Sequence, residues 1–306
     1  MADSPVFDAA LNAETAFARY EQVRPRLPVA DFPATSQKVA TLGDLADQYD
    51  GFLLDAFGVL NVGDTPIPGA IARMAELRAM DKRLCVLTNA ASYTRSGAVE
   101  KYHRLGFDFS PDEVVTSREV AARRLDKIAP GAHWAAFSAP GDDYHDIPAR
   151  LSDAIDSPGL FDSADAFVFL SSLRWTQEFQ DRLMDALIRN PRPVVIANPD
   201  LVAPREDGLS LEPGLFAHGM LDRINVATHW FGKPFADAFD DAAERMDLPR
   251  GRIAMVGDTL HTDVLGGRAA GMGTVLIADH GLFAGRDVAP FITASGIVPD
   301  AIAATT

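Results

Sequence analysis

The sequence predicts an α/β protein: a doubly wound parallel sheet with a second α/β unit inserted into it. Phe52-Leu53-Leu54, Leu84-Cys85-Val86-Leu87 and Ile253-Ala254-Met255-Val256 are apolar runs without alternation, the pattern of strands buried on both faces. Between the first two runs, Ile67, Ile71, Met74 and Leu77 recur at helical spacing, which supplies the crossover of a βαβ unit. From Thr88 to Lys233 the chain is far longer than a crossover needs and holds strand candidates of its own.

Residues 1–42 read as an N-terminal arm. A helical segment near Ala9 to Tyr20 is followed by Arg24-Pro25-Arg26-Leu27-Pro28, where two prolines break regular structure. The core occupies 43–130 and 217–306. Val114 to Ser117 suggests a short strand, Arg118 to Ile128 a helix, and Pro130-Gly131 a boundary. The insert, 131–216, has strands expected at Trp134 to Phe137, Phe167 to Leu170 and Val194 to Ile196. Helices are expected at Thr176 to Ile188 and around Arg150 to Ile155. Back in the core, a helix from Asp263 to Ala270 stops at Gly271 and leads into a strand at Thr274 to Ala278.

With 306 residues and 47% hydrophobic content, the chain can bury a large core and suggests about two domains. A net charge of -15 argues against a polyanion-binding surface, so neither nucleic acid nor an anionic membrane is an expected partner. The single Cys85 sits inside a strand pattern and reads as core filler, which suits a reducing compartment. Met1-Ala2-Asp3-Ser4-Pro5 shows no basic stretch leading into an apolar one, and no run approaches bilayer length; the expected location is cytoplasmic.

Four segments carry candidate chemistry. Asp55 ends the first apolar run and opens Asp55-Ala56-Phe57-Gly58, a strand breaking into a glycine turn, where a carboxylate can act as a nucleophile or a metal ligand. Thr88-Asn89-Ala90 follows the second run with groups that hold oxyanions. Gly232-Lys233-Pro234 offers an ammonium on a stiff loop. Ile253 to Val256 runs into Gly257-Asp258-Thr259-Leu260-His261-Thr262-Asp263, a second acidic loop. Taken singly, each also reads as turn or cap chemistry. If Asp55 and Asp258 converge, their mutual repulsion calls for a hard divalent cation, and oxygen ligands favour Mg²⁺. The seven histidines have no paired spacing, which disfavours zinc; His261 reads as a solvated loop imidazole or, less simply, as a catalytic one.

The order Asp55, Thr88-Asn89, Lys233, Gly257-Asp258 with Asp263 resembles the haloacid dehalogenase (HAD) superfamily of phosphotransferases. Thr88-Asn89-Ala90-Ala91-Ser92, Ala197-Asn198-Pro199-Asp200 and the Gly257 to Asp263 loop are similar to subclass IIA, the sugar-phosphate, nitrophenyl-phosphate and pyridoxal-phosphate phosphatases with a large cap. The resemblance spans roughly 43 to 285. It implies a Rossmann-like core, an inserted α/β cap and a Mg²⁺-dependent phosphatase acting on a small phosphorylated metabolite, a sugar phosphate among the candidates. Asp55 would attack phosphorus to form an aspartyl phosphate, while Lys233 and Thr88 stabilise the transferring group. Asn89, Ala90, Asn198 and Asp200 would contact phosphate or substrate; Asp55, the Phe57 carbonyl and Asp258 would hold Mg²⁺; Asp263 would orient Lys233 or a metal-bound water. Caps of this kind often support homodimers, although no interface is visible in the sequence.

Phe57 departs from the pattern. Related phosphatases carry an acid–base Asp two residues after the nucleophile, and such catalysis is worth about 10² to 10⁴ in rate. Three readings follow: a phosphatase that is slow or uses another acid, such as His261; a dehalogenase-like hydrolase whose leaving group needs no proton; and a non-catalytic module binding a phosphate ligand. In the cap, the loops Ser171 to Arg174 and Asn198 to Asp200 are expected to contact substrate, while Trp175 is expected to pack.

Overall fold

In a computed structural model, which describes residues 12–306, seven parallel strands form the main sheet. Their order is Gln37–Val39, Ala301–Ala303, Gly273–Ile277, Ile253–Gly257, Gly51–Leu54, Arg83–Thr88 and Val114–Thr116. The apolar runs are the central strands: Gly51–Leu54 and Ile253–Gly257 are buried along their whole length. Chain order reverses around Gly51–Leu54, and Leu54 is in register with Val256. The two acidic loops therefore leave adjacent strands at the same edge, where an open α/β sheet forms its crevice. Cys85 lies in this core, and burial pushes its thiol up to about 12, so it fills space rather than reacts.

The crossover helix is Ala70–Ala79, burying Ala70, Met74 and Leu77. Ile71, expected on the same stripe, stays 40% exposed. The helix expected over 118–128 is two short ones, Ser117–Ala122 and Leu125–Ile128.

A second parallel sheet has the order Thr228–Trp230, Val194–Ile196, Ala166–Phe169, His133–Phe137 and Arg150–Asp153. The helix expected around 150–155 is instead its edge strand. A segment this short cannot nucleate a helix alone, whereas His133–Phe137 offers an open edge that pairs with its backbone directly. Thr228–Trp230 completes the sheet beyond the expected boundary at 216, and the helix Pro213–Leu221 places Phe216, Ala217 and Met220 in the insert's own core. Sheet membership leads us to propose that the insert runs to about residue 231 and that the core resumes there. Trp175 packs inside it at 4.5 Å from Phe137, as expected.

The arm's helix is Ala13–Val23, capped by Asn12, whose Oδ1 accepts from Thr15 N at 2.9 Å; the expected helical residues 9–11 lie outside the described ones. It bridges both sheets' territories, since Ala16, Tyr20 and Val23 pack with Leu201 and Leu215 of the insert and with Leu260, Val264 and Phe283 of the core. Tyr20 OH accepts from Leu201 N at 3.1 Å, and Arg19 and Arg26 both hold Asp222. No helix among the described residues is long and apolar enough to cross a membrane.

Beside those arginines, His218 is buried and stacked 4.4 Å from Trp230. Burial, with Arg26 and Arg19 adding, lowers its pKa to about 3. The unfolded chain protonates this imidazole below roughly pH 6.5 while the folded one does not. Its stabilisation is therefore complete above that pH and drains away as pH falls toward 3. Chemical denaturation at pH 7 and pH 4.5 is expected to show a smaller acid-induced loss for His218→Gln than for the parent; equal losses contradict this.

Candidate active site

The site is built where the two adjacent strands end. Asp55 N donates to Val256 O at 2.8 Å, continuing the sheet by one residue, and then the chain turns through Gly58, whose N–H bonds Asn61 O at 2.9 Å. Gly58 has φ +77°, and a Cβ there would lie 2.6 Å from Asp258 Oδ2. Gly281, at φ +76°, would place a Cβ 2.0 Å from the same oxygen. Glycine at both positions lets the acidic loops close around Asp258.

Carboxylate oxygens of Asp55, Asp258 and Asp263 lie within 4.8 Å of one another. Lys233, 1% exposed, sits among them with Nζ 2.5 Å from Asp55 Oδ1 and 2.8 Å from Asp263 Oδ1. Asp258 accepts from Leu282 N at 2.7 Å and from the Thr259 hydroxyl at 2.9 Å. Burial raises Asp55 to about 6, Asp263 adding to the shift and Lys233 opposing it. Burial, then Asp263 and Asp55, also pushes Asp258 well above the usual carboxylate range. Burial alone would depress Lys233, but Asp263, Asp55 and Asp200 outweigh it and hold it fully charged.

One ammonium thus faces four buried or half-buried carboxylates, since Asp200 is also near enough to act on Asp55 and Lys233. Such a charge excess is relieved by protons or by a cation. Asp263 is taken up by Lys233, whereas Asp55 and Asp258 both face a cavity. An all-oxygen pair on a cavity wall, with no thiol or imidazole beside it, fits a hard divalent cation.

That cavity has a volume of about 350 Å³. Its core wall carries Asp55, Phe57, Thr88, Asn89, Ala90 and Asp258; its insert wall carries Ser171, Asn198, Asp200, Arg205, Ser210 and Glu212. Lys233 and Asp263 lie behind the wall, Lys233 joining Asp263 to Asp55.

Several placements bear on the expected roles. Asn89, expected at the phosphate, has its amide engaged: Oδ1 accepts from Lys233 N at 2.8 Å, and Nδ2 donates to Lys233 O at 2.9 Å and Asp200 Oδ1 at 2.8 Å. It fixes the lysine loop and ties it to the insert. Asn198 is likewise occupied, donating to Glu212 Oε2 at 3.0 Å and accepting from Asp200 N at 3.0 Å. Thr88 Oγ1 accepts from Ala90 N at 3.1 Å on the cavity wall, and its hydroxyl also bonds with the buried Tyr102 hydroxyl. His261 is neither solvated nor placed for catalysis. It is 1% exposed, stacks on Tyr20 at 5.0 Å and lies 2.5 Å from Glu21, away from the cavity. Arg174, at the end of the loop expected to contact substrate, pairs with Asp153 and Asp156.

Arg205, Ser210 and Glu212 are functional candidates that sequence reasoning missed. Arg205 and Ser210 lie on an antiparallel hairpin, Val202–Arg205 with Gly208–Leu211, and Glu212 follows it directly, its N–H bonding Leu201 O at 3.0 Å. Asp207-Gly208 between two apolar stretches was the readable turn signal.

The sequence profile of haloacid dehalogenase-like hydrolases matches residues 52–144, and a HAD-hydrolase-like profile matches 230–304. The acid sugar phosphatase of Staphylococcus aureus is 27% identical over 231 residues, covering 74% of this chain and 86% of that protein. The glycerol-3-phosphate phosphatase of Gallus gallus is 31% identical over 251 residues, covering 74% and 78%. A glycerol phosphate phosphatase of Mycobacterium tuberculosis, solved with calcium and also with magnesium, superposes with TM-score 0.63 at 26% identity. The calcium-bound structure covers 77% of this chain and 68% of its own. Fold and acidic crevice together define a HAD-type α/β hydrolase. The chain belongs to the haloacid dehalogenase-like hydrolases, on the branch occupied by these capped phosphatases.

Proposed function

We propose that this protein is a divalent-metal-dependent phosphatase of small phosphorylated metabolites, working through an aspartyl phosphate on Asp55. The observation that carries the reading is the pair Asp55 and Asp258 on one cavity wall, with the Asp55–Lys233–Asp263 ion-pair chain running behind it. Phosphoryl transfer needs a nucleophile aligned with phosphorus and positive charge around its equatorial oxygens. Asp55 Oδ1 is held by Ala56 N at 2.7 Å and by Lys233, so the side chain is fixed and its other oxygen is left for attack. Lys233 offsets the repulsion between that carboxylate and an incoming phosphate, and the Thr88 hydroxyl can donate to a phosphoryl oxygen. A divalent ion, Mg²⁺ in this reading, held by Asp55, Asp258 and the Phe57 carbonyl, would neutralise the phosphoryl charge. Sugar and polyol phosphates, on which the relatives act by name, suit the polar insert wall of Ser171, Asn198, Ser210 and Glu212.

Phosphate release is expected to stop when chelator removes the metal and to return with added Mg²⁺. Release that persists in chelator contradicts the reading.

No proton can move at Phe57, and His261 is walled off. Of the two carboxyls on the insert wall, both raised by burial, Glu212 has both oxygens accepting hydrogen bonds, from Ser210 and Arg205 on one and Asn198 on the other. Asp200, raised well above the usual range by burial, accepts among the described residues only from Asn89 at Oδ1. In this reading Asp200 takes over the proton transfer. Phe57→Asp and Asp200→Asn are then expected to move alkyl-ester turnover in opposite directions, each by roughly tenfold or more. Aryl esters, whose leaving groups need less protonation, move less. Parallel steady-state assays decide it, and unchanged alkyl turnover in both variants contradicts it.

A further inference from the structure

We infer that Arg205, mounted on the Phe57 ring, forms a subsite for a second anionic group, a carboxylate above all, on the leaving-group side of the substrate. The position that lacks an acid is an aromatic platform. Phe57 carries two cations: Arg205 Cζ lies 4.5 Å from the ring centroid and Lys101 Nζ 4.8 Å. A guanidinium stacked on an aromatic face is held in plane while its N–H edge stays free to bond.

The hydrogen bonds fix which edge is free. Arg205 Nε donates to Ser210 Oγ at 2.9 Å, and Nη2 donates to Glu212 Oε1 at 3.1 Å. Nη1 has no hydrogen-bond partner among the described residues, and Arg205 lines the same cavity as Asp55. Glu212 only partly neutralises the guanidinium. The same carboxylate also accepts from Ser210 Oγ at 2.6 Å and from Asn198 Nδ2 at 3.0 Å, and its contact with Arg205 is single rather than forked. The hairpin is also pinned from outside the cavity, because Glu206 Oε1 accepts from Asp64 N at 2.7 Å. Arg205 is thus preorganised before a ligand arrives, which lowers the entropy cost of binding. The cavity has two poles: Asp55 and Asp258, with Lys233 behind them, at one, and the stacked Arg205 at the other.

The inference rests on the phosphatase reading only for the phosphate end, so binding and turnover are measured separately. In an Asp55→Asn background with saturating Mg²⁺, calorimetric titration compares 3-phosphoglycerate with glycerol 3-phosphate, which differ by a carboxylate in place of a hydroxymethyl. The carboxylated ester is expected to bind roughly tenfold tighter or more. Adding Arg205→Gln brings the two within about threefold, and Arg205→Lys or Phe57→Leu leaves an intermediate preference, since each keeps the charge but loses the stacked fork. Equal affinities with Arg205 intact, a preference that survives Arg205→Gln, or no binding of either ester overturns the inference. A preference that depends on Arg205 in a protein that, with Asp55 intact, hydrolyses neither ester supports the subsite and sinks the phosphatase reading instead.

Discussion

An Asp55→Asn protein is expected to lose phosphate release by on the order of 10⁴-fold or more, with its folding intact. The amide cannot form the acyl phosphate. It nevertheless fills the same space, can still accept from Ala56 N, and removes one of the carboxylates that crowd Lys233. Lys233 keeps Asp263 at 2.8 Å, so no buried cation is stranded. Thermal unfolding should therefore stay level or rise slightly while turnover vanishes. Residual activity within tenfold of the parent means that some other group attacks phosphorus.

Lys233→Met is the second large effect, and it differs in kind because it costs folding as well as turnover. The substitution keeps the length and fills the space, but Asp55 and Asp263 lose the ammonium they share, in surroundings that exclude water. Breaking a buried ion pair by removing one partner typically costs about 3 to 5 kcal/mol. Without Lys233, which holds the Asp55 pKa down against burial, Asp55 takes up its proton more readily, so the deficit has a sign in pH. It is largest near neutrality and shrinks as pH falls and protons replace the missing charge. Urea unfolding at pH 7 and pH 5 tests this. A deficit that grows on acidification contradicts the placement of Lys233 between the two carboxylates.

The sequence made the strand ends legible because a parallel strand covered on both faces must be apolar throughout. An acidic residue straight after such a run, as at Asp55, can only lie at the sheet's edge. Convergence of Asp55 and Asp258 followed from the topology, since neighbouring parallel strands bring their carboxyl ends together. Segments that depend on distant partners were not legible. Arg150–Asp153 is a strand only because His133–Phe137 has a free edge, and Thr228–Trp230 joins the insert only through Val194–Ile196. His261 looked like a loop imidazole because nothing local reveals that Tyr20 and Glu21, some 240 residues earlier, will cover it. Asn89 shows the same limit from the other side. Its type suits a phosphate, but its bonds are spent on Lys233 and Asp200, which only the folded chain brings within reach. Arg205 was obscured further, because its role depends on Phe57, a residue that reads as a loss until its ring is seen under the guanidinium.

A single-turnover reaction with a labelled phosphate ester and Mg²⁺, quenched in acid and mapped by peptide analysis, addresses the shared acidic crevice most directly. Asp55 is expected to carry an acid-stable, base-labile phosphate that builds up before free phosphate appears, and Asp258→Asn should prevent its formation. Free phosphate released by the parent protein without any label on Asp55, or a label that forms equally well in Asp258→Asn, would show that the two aspartates do not act together at one phosphoryl group.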